Sequence, residues 1–92
     1  MFRYRLEMSD GTMLEMFERF RSAGQTVEVI KYSFHWQDAR GNLIRRWDNA
    51  PHHPEVETHP DHVHVGQKVR VRPSEMMEAE KVLSYVQEKL DT

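Results

Sequence analysis

The chain has 92 residues, 38% hydrophobic and 30% charged, enough for one domain with a small core and too apolar for disorder. Thirteen Lys and Arg against 15 Asp and Glu give a net charge of −2, which removes the simple case for a strongly basic nucleic-acid binder. The absence of cysteine excludes disulfides, thiolate metal sites and cysteine nucleophiles. With no membrane-length apolar run and no signal peptide, a soluble cytoplasmic domain without membrane contact is expected.

Phe2, Tyr4, Leu6 and Met8 alternate with Arg3, Arg5 and Glu7, the period-two pattern of a half-buried strand over about 2–8. Asp10-Gly11 follows, a dipeptide suited to the positive-φ positions of a two-residue hairpin turn. A second strand over 12–21 then returns with Met13 opposite Met8 and Phe17 opposite Tyr4. Ser22-Ala23-Gly24-Gln25 makes the next turn. A third strand over 26–38 carries Val27, Val29, Ile30, Tyr32, Phe34 and Trp36. Ala39-Arg40-Gly41-Asn42 turns the chain into a fourth strand over 43–48.

If every turn has two residues, one face collects Phe2, Tyr4, Leu6, Met8, Met13, Phe17, Ile30, Tyr32, Phe34, Trp36, Leu43 and Trp47, and this face is the expected core. Pro73-Ser74 places a proline before an N-cap serine, with Glu75, Glu78 and Glu80 near the positive end of a helix dipole. Ala79, Val82, Leu83, Val86 and Leu90 then form the apolar stripe of a helix over about 75–90. The expected fold is α+β: an antiparallel meander of four to six strands with one C-terminal helix packed on one face. Between strand four and the helix, 49–73 is a His- and Pro-rich loop interrupted by Pro51, Pro54 and Pro60. Within it His62-Val63-His64-Val65 alternates as a short strand with both histidines on one side. Val69 and Val71, alternating with Lys68, Arg70 and Arg72, suggest a further edge strand.

Of six histidines, five lie between positions 52 and 64. The register sets His35 opposite Arg46 on the face away from the core. Asp48, Asn49, His52 and His53 continue from that strand, so these groups converge at one hairpin end, where His62 and His64 can join them. Three readings compete. His-x-His on a strand can offer two imidazoles to one metal ion, yet no HExxH-type spacing is present and no metal is assigned. Imidazoles beside an arginine are also the equipment of a metal-independent, cofactor-free ribonuclease that cleaves through the 2′-hydroxyl. The third reading is structural, with histidines bonded to backbone in a polar loop. Trp47 among Arg45 and Arg46 suits stacking on an unpaired base, but the register turns it into the core with Arg45 at the rim.

The same register gathers Leu14, Met16, Phe20, Val27 and Val29 on the face opposite the core. One helix cannot cover both faces, so this patch is expected to meet a partner protein or a second copy.

Three blocks carry a family resemblance: Lys31-Tyr32-Ser33-Phe34-His35-Trp36-Gln37-Asp38, Arg45-Arg46-Trp47-Asp48-Asn49-Ala50-Pro51-His52-His53 and His62-Val63-His64-Val65-Gly66. Over about 26–84 they resemble the TumE-like family of prokaryotic toxin–antitoxin proteins. The resemblance implies a small intracellular toxin of a type II pair, with a helix-turn-helix antitoxin from the neighbouring gene as partner; it carries over no catalytic residue. Two features depart from the pattern. The chain opens at once on its first strand, where a missing N-terminal element would leave sheet exposed, and His59-Pro60-Asp61 replaces a more aromatic or histidine-rich stretch. The expected activity is RNA cleavage, with His35, Arg46, Asp48, His53, His62 and His64 as the catalytic set. Asn49, His52, Arg45 and Trp47 are the expected binding residues. The alternatives are a non-catalytic binding module and a histidine-based metal-binding domain.

Overall fold

Alternating aromatic and β-branched residues over the first half of the chain produce long antiparallel strands. The computed structural model describes residues 1–66 and 70–91. Among these lie β1 (Phe2–Glu7), β2 (Met13–Ala23), β3 (Thr26–Gln37), β4 (Leu43–Asp48), β5 (His62–Val65), β6 (Arg70–Pro73) and α1 (Ala79–Leu90). The strands pair in chain order as a meander with the helix at its end, the α+β architecture expected. Lys68 and Val69 of the expected last strand lie outside the described residues.

Register is decided at the turns. Met8 N–H bonds Thr12 O at 2.8 Å and Gly11 N–H bonds Met8 O at 3.0 Å, with Gly11 at φ 87°, so the first hairpin closes on three residues and not two. Asp38 and Asn42 close an equivalent turn around Gly41, also at φ 87°. A three-residue loop shifts pairing by one and turns the returning strand over. Between β3 and β4 a bulge at Trp36/Gln37 cancels that shift, so His35 pairs with Arg46 as expected. Between β1 and β2 the register runs unshifted, Leu6 facing Leu14 and Tyr4 facing Met16. A second bulge at Arg19/Phe20 then aligns Leu14 with Trp36 and Met16 with Phe34.

The outcome turns one strand over and trims the core elsewhere: Tyr4, Leu6 and Ile30, expected in it, are 53%, 36% and 40% exposed because the helix does not reach them. Leu14 and Met16, expected on the open face, are 0% and 3% exposed in the core. Met13 and Phe17, expected in the core, lie on the opposite face. Of the remaining expected patch, Val29 packs against the core, and Phe20 and Val27 are exposed near the second turn.

The core is one cluster of Leu14, Met16, Tyr32, Phe34, Trp36, Trp47 and Val63 against Met77, Val82 and Val86. Trp36 places its indole N–H on Thr12 Oγ1 at 3.0 Å, and that hydroxyl donates to Asp10, so the buried polar atoms are satisfied. α1 begins four residues later than the Ser74 cap predicts. Ser74 N–H is taken by Thr58 Oγ1 at 2.9 Å, which ties this stretch to the loop and keeps it extended. Glu18 of β2 is buried beside the helix start at Glu78 and Ala79, and α1 has no side-chain cap of its own.

Burial, reinforced by the Glu78 carboxylate, raises the Glu18 carboxyl above its ordinary value against the pull of Ala79. A raised folded-state value favours folding at low pH and is lost as pH rises through it. Glu18→Gln is therefore expected to stabilise the fold more at pH 7 than at pH 4. Denaturant midpoints of both proteins at the two pH values check this.

Candidate functional site

Side chains on the face of the sheet away from α1 fall into two rows set by the pairing. One row runs Arg5, Glu15, His35, Arg46, His64; the other runs Arg3, Phe17, Ser33, Asp48, His62. Strands lie about 4.8 Å apart, so each row is a straight track across the sheet. Arg46 stands between two imidazoles, His35 on one side and His64 on the other.

Asp48 is the hub. Its carboxylate is buried, 2.9 Å from His62 Nε2, 3.5 Å from His64 Nε2 and 3.2 Å from Arg46 Nε, and it accepts the Ala50 N–H at 3.0 Å. Arg46 reaches back to His35 Nδ1 at 3.4 Å, and His35 Nε2 lies 3.2 Å from Gln37 Oε1. His62, 2% exposed, gives its Nδ1 proton to Pro60 O at 2.8 Å. Its Nε2 then faces both Asp48 and His64 Nε2, the latter at 3.1 Å. Burial holds the His64 imidazole below its ordinary value; Asp48 opposes this, and His62, His53 and Arg46 add to it.

His53 comes from the loop. Successive turns, Val56 N–H to His53 O and His59 N–H to Val56 O, fold that segment back with Val56 buried. The His53 ring lies 5.0 Å from the His62 ring and 5.5 Å from that of His64, and its Nδ1 is 3.0 Å from Glu55 Oε1. The structure thus brings together His35, Arg46, Asp48, His53, His62 and His64.

The four expected binding residues sit elsewhere. Asn49 spends its amide on β3, accepting Tyr32 N–H at 3.0 Å and donating to Ile30 O at 3.2 Å, so it clamps backbone. Trp47 is buried against Tyr85, and Arg45 stacks over the same ring at 5.3 Å, both on the helix side. His52 is exposed and outside the convergent imidazoles.

Four further side chains at the site were not read as functional from the sequence. Arg3, Phe17, Lys31 and Ser33 line an open groove of about 620 Å³ that ends on His35 and Arg46. Arg3 lies over the Phe17 ring at 5.4 Å. The signal for Phe17 was the first turn: Ser9-Asp10-Gly11 read as a three-residue loop puts it on this face. Among the described residues no helix is long and apolar enough to cross a membrane.

No characterised protein sequence and no solved structure matches the chain. A family model described as toxin TumE matches residues 1–91, which extends the resemblance read over about 26–84 to the first two strands and the end of the helix. The chain belongs to the TumE toxin family.

Proposed function

We propose that this protein is a cytoplasmic endoribonuclease, the growth-inhibiting toxin of a type II pair, which cuts single-stranded RNA on the open face of its sheet. Membership of the family implies a toxin of a toxin–antitoxin system and a cognate antitoxin as partner. The observation that carries the RNA reading is the row His35–Arg46–His64, in which a cation for phosphate is flanked by two imidazoles.

With a phosphate on Arg46, one imidazole takes the proton of the adjacent 2′-hydroxyl, and the 2′-oxygen attacks phosphorus. The other imidazole, protonated, gives its proton to the departing 5′-oxygen. The products are a 2′,3′-cyclic phosphate and a 5′-hydroxyl, and the step uses no metal ion. Asp48 orients His62 and His64. The groove leads RNA to this point, with Arg3 and Lys31 for phosphates and Phe17 for a base. The net charge of −2 is no obstacle, because residues 74–92 carry 5 acidic and 2 basic groups, leaving 11 basic against 10 acidic in 1–73. Apolar side chains left exposed, and so open to the antitoxin, include Tyr4 and Leu6 of β1 with Phe20, Val27 and Ile30.

The test is cleavage of single-stranded RNA by untagged protein in EDTA, with products carrying cyclic phosphate and a 2′-deoxy substitution at the cut blocking it. Intact RNA with folded protein would sink the reading. Arg3→Ala/Lys31→Ala should weaken RNA binding and reduce the slope of log K against log salt by about 1.4, two phosphate contacts at about 0.7 each. An unchanged slope would remove the groove from the RNA path.

A further inference from the structure

We propose that His53, His62 and His64, with Asp48, form a binding site for one divalent transition-metal ion of the zinc class. The three imidazoles offer ligand nitrogens that all lie within 4.8 Å of one another. Asp48 adds carboxylate oxygens 2.9 Å from His62 Nε2 and 3.5 Å from His64 Nε2, and the two Nε2 atoms are 3.1 Å apart. Around a tetrahedral ion with bonds of about 2.0–2.1 Å, neighbouring donors stand about 3.3 Å apart; the His62, His64 and Asp48 separations bracket that value, while the three imidazoles as a set spread to 4.8 Å.

The outer contacts point the same way. A metal-bound histidine commonly gives its other ring N–H to a carbonyl or a carboxylate. His62 Nδ1 does so to Pro60 O at 2.8 Å and His53 Nδ1 to Glu55 Oε1 at 3.0 Å, which leaves both Nε2 atoms for an inner ligand. The inner nitrogens also converge on the carboxylate. With its Nδ1–H donated to Pro60 O, His62 presents Nε2 to the Asp48 carboxylate and to His64 Nε2. A proton on that nitrogen satisfies Asp48; a divalent ion satisfies the whole group. Imidazole and carboxylate donors without a thiolate suit zinc, nickel or cobalt.

The site stands on geometry, but its consequence rests on the ribonuclease reading. A bound ion takes the His64 lone pair, so zinc is expected to inhibit RNA cleavage and EDTA to restore it.

Untagged protein should bind one Zn²⁺ per chain by calorimetry, and Co²⁺ should give the visible absorption of a tetrahedral nitrogen–oxygen site. His53→Ala, a loop change checked for fold by circular dichroism, should weaken binding at least tenfold. Glu55→Ala should weaken it less. His52→Ala and His59→Ala should leave it unchanged. No saturable binding, an unchanged affinity in His53→Ala, or an equal loss in His52→Ala would overturn the site. These readouts need no RNA: tight zinc binding at these residues together with zinc-dependent cleavage would keep the site and overturn the metal-free mechanism instead.

Discussion

The double variant His62→Ala/His64→Ala is expected to lose RNA cleavage by at least about a hundredfold, the low end of what a positioned acid or base contributes. His64 flanks the proposed phosphate position on Arg46, and His62 and Asp48 contact its ring. The wild-type rate is expected to survive EDTA, and the loss in the variant to appear in kcat with KM little changed, because Arg3, Phe17 and Lys31 still hold substrate. His62 is buried, so its removal also costs stability, and circular dichroism must accompany the rates. His64→Gln gives an independent reading, being half-buried and closer to isosteric. Full activity in the folded double variant would remove these imidazoles from the chemistry.

The second large effect is on stability. Leu14→Ala is expected to cost about 2–5 kcal/mol, because Leu14 is fully buried and the space cannot close. At about 0.05–0.15 kcal/mol per residue a chain of this length holds roughly 5–14 kcal/mol, so the variant gives up a large share of its stability. Phe17→Ala, on the open face, is expected to cost under about 1.5 kcal/mol and to weaken RNA binding instead. A register of two-residue turns demands the reverse order, with Phe17 in the core and Leu14 at the surface. Denaturant titration of the two variants decides between them, since the difference spans several measurement errors.

The sequence carried the third and fourth strands well. Tyr32, Phe34, Trp36 and Trp47 share the buried face, and His35 meets Arg46, because period-two alternation is strong there and a bulge cancels the extra residue of the turn. It also showed His62 and His64 on one side of a short strand. The second strand failed for a definable reason. Both of its faces are apolar, Leu14 and Met16 on one and Met13 and Phe17 on the other, so alternation could not choose between them. A turn of two residues or three, and a bulge beside Phe20, decided it.

By itself the sequence determined the α+β meander, the apolar helix stripe and the pairing that sets Arg46 beside His35, since these follow from local periodicity and turn chemistry. Only the tertiary structure decided that the helix starts at Ala79, because Thr58 had taken the Ser74 backbone donor before it. Only it brought His53 onto the two strand histidines, because that contact depends on how an irregular loop anchored by Val56 folds back. It likewise joined Arg3 and Phe17 to His35 and Arg46 in one groove. Periodicity is a property of neighbours along the chain, whereas a site drawn from five strands and a loop depends on summed register shifts that the residues carry only weakly.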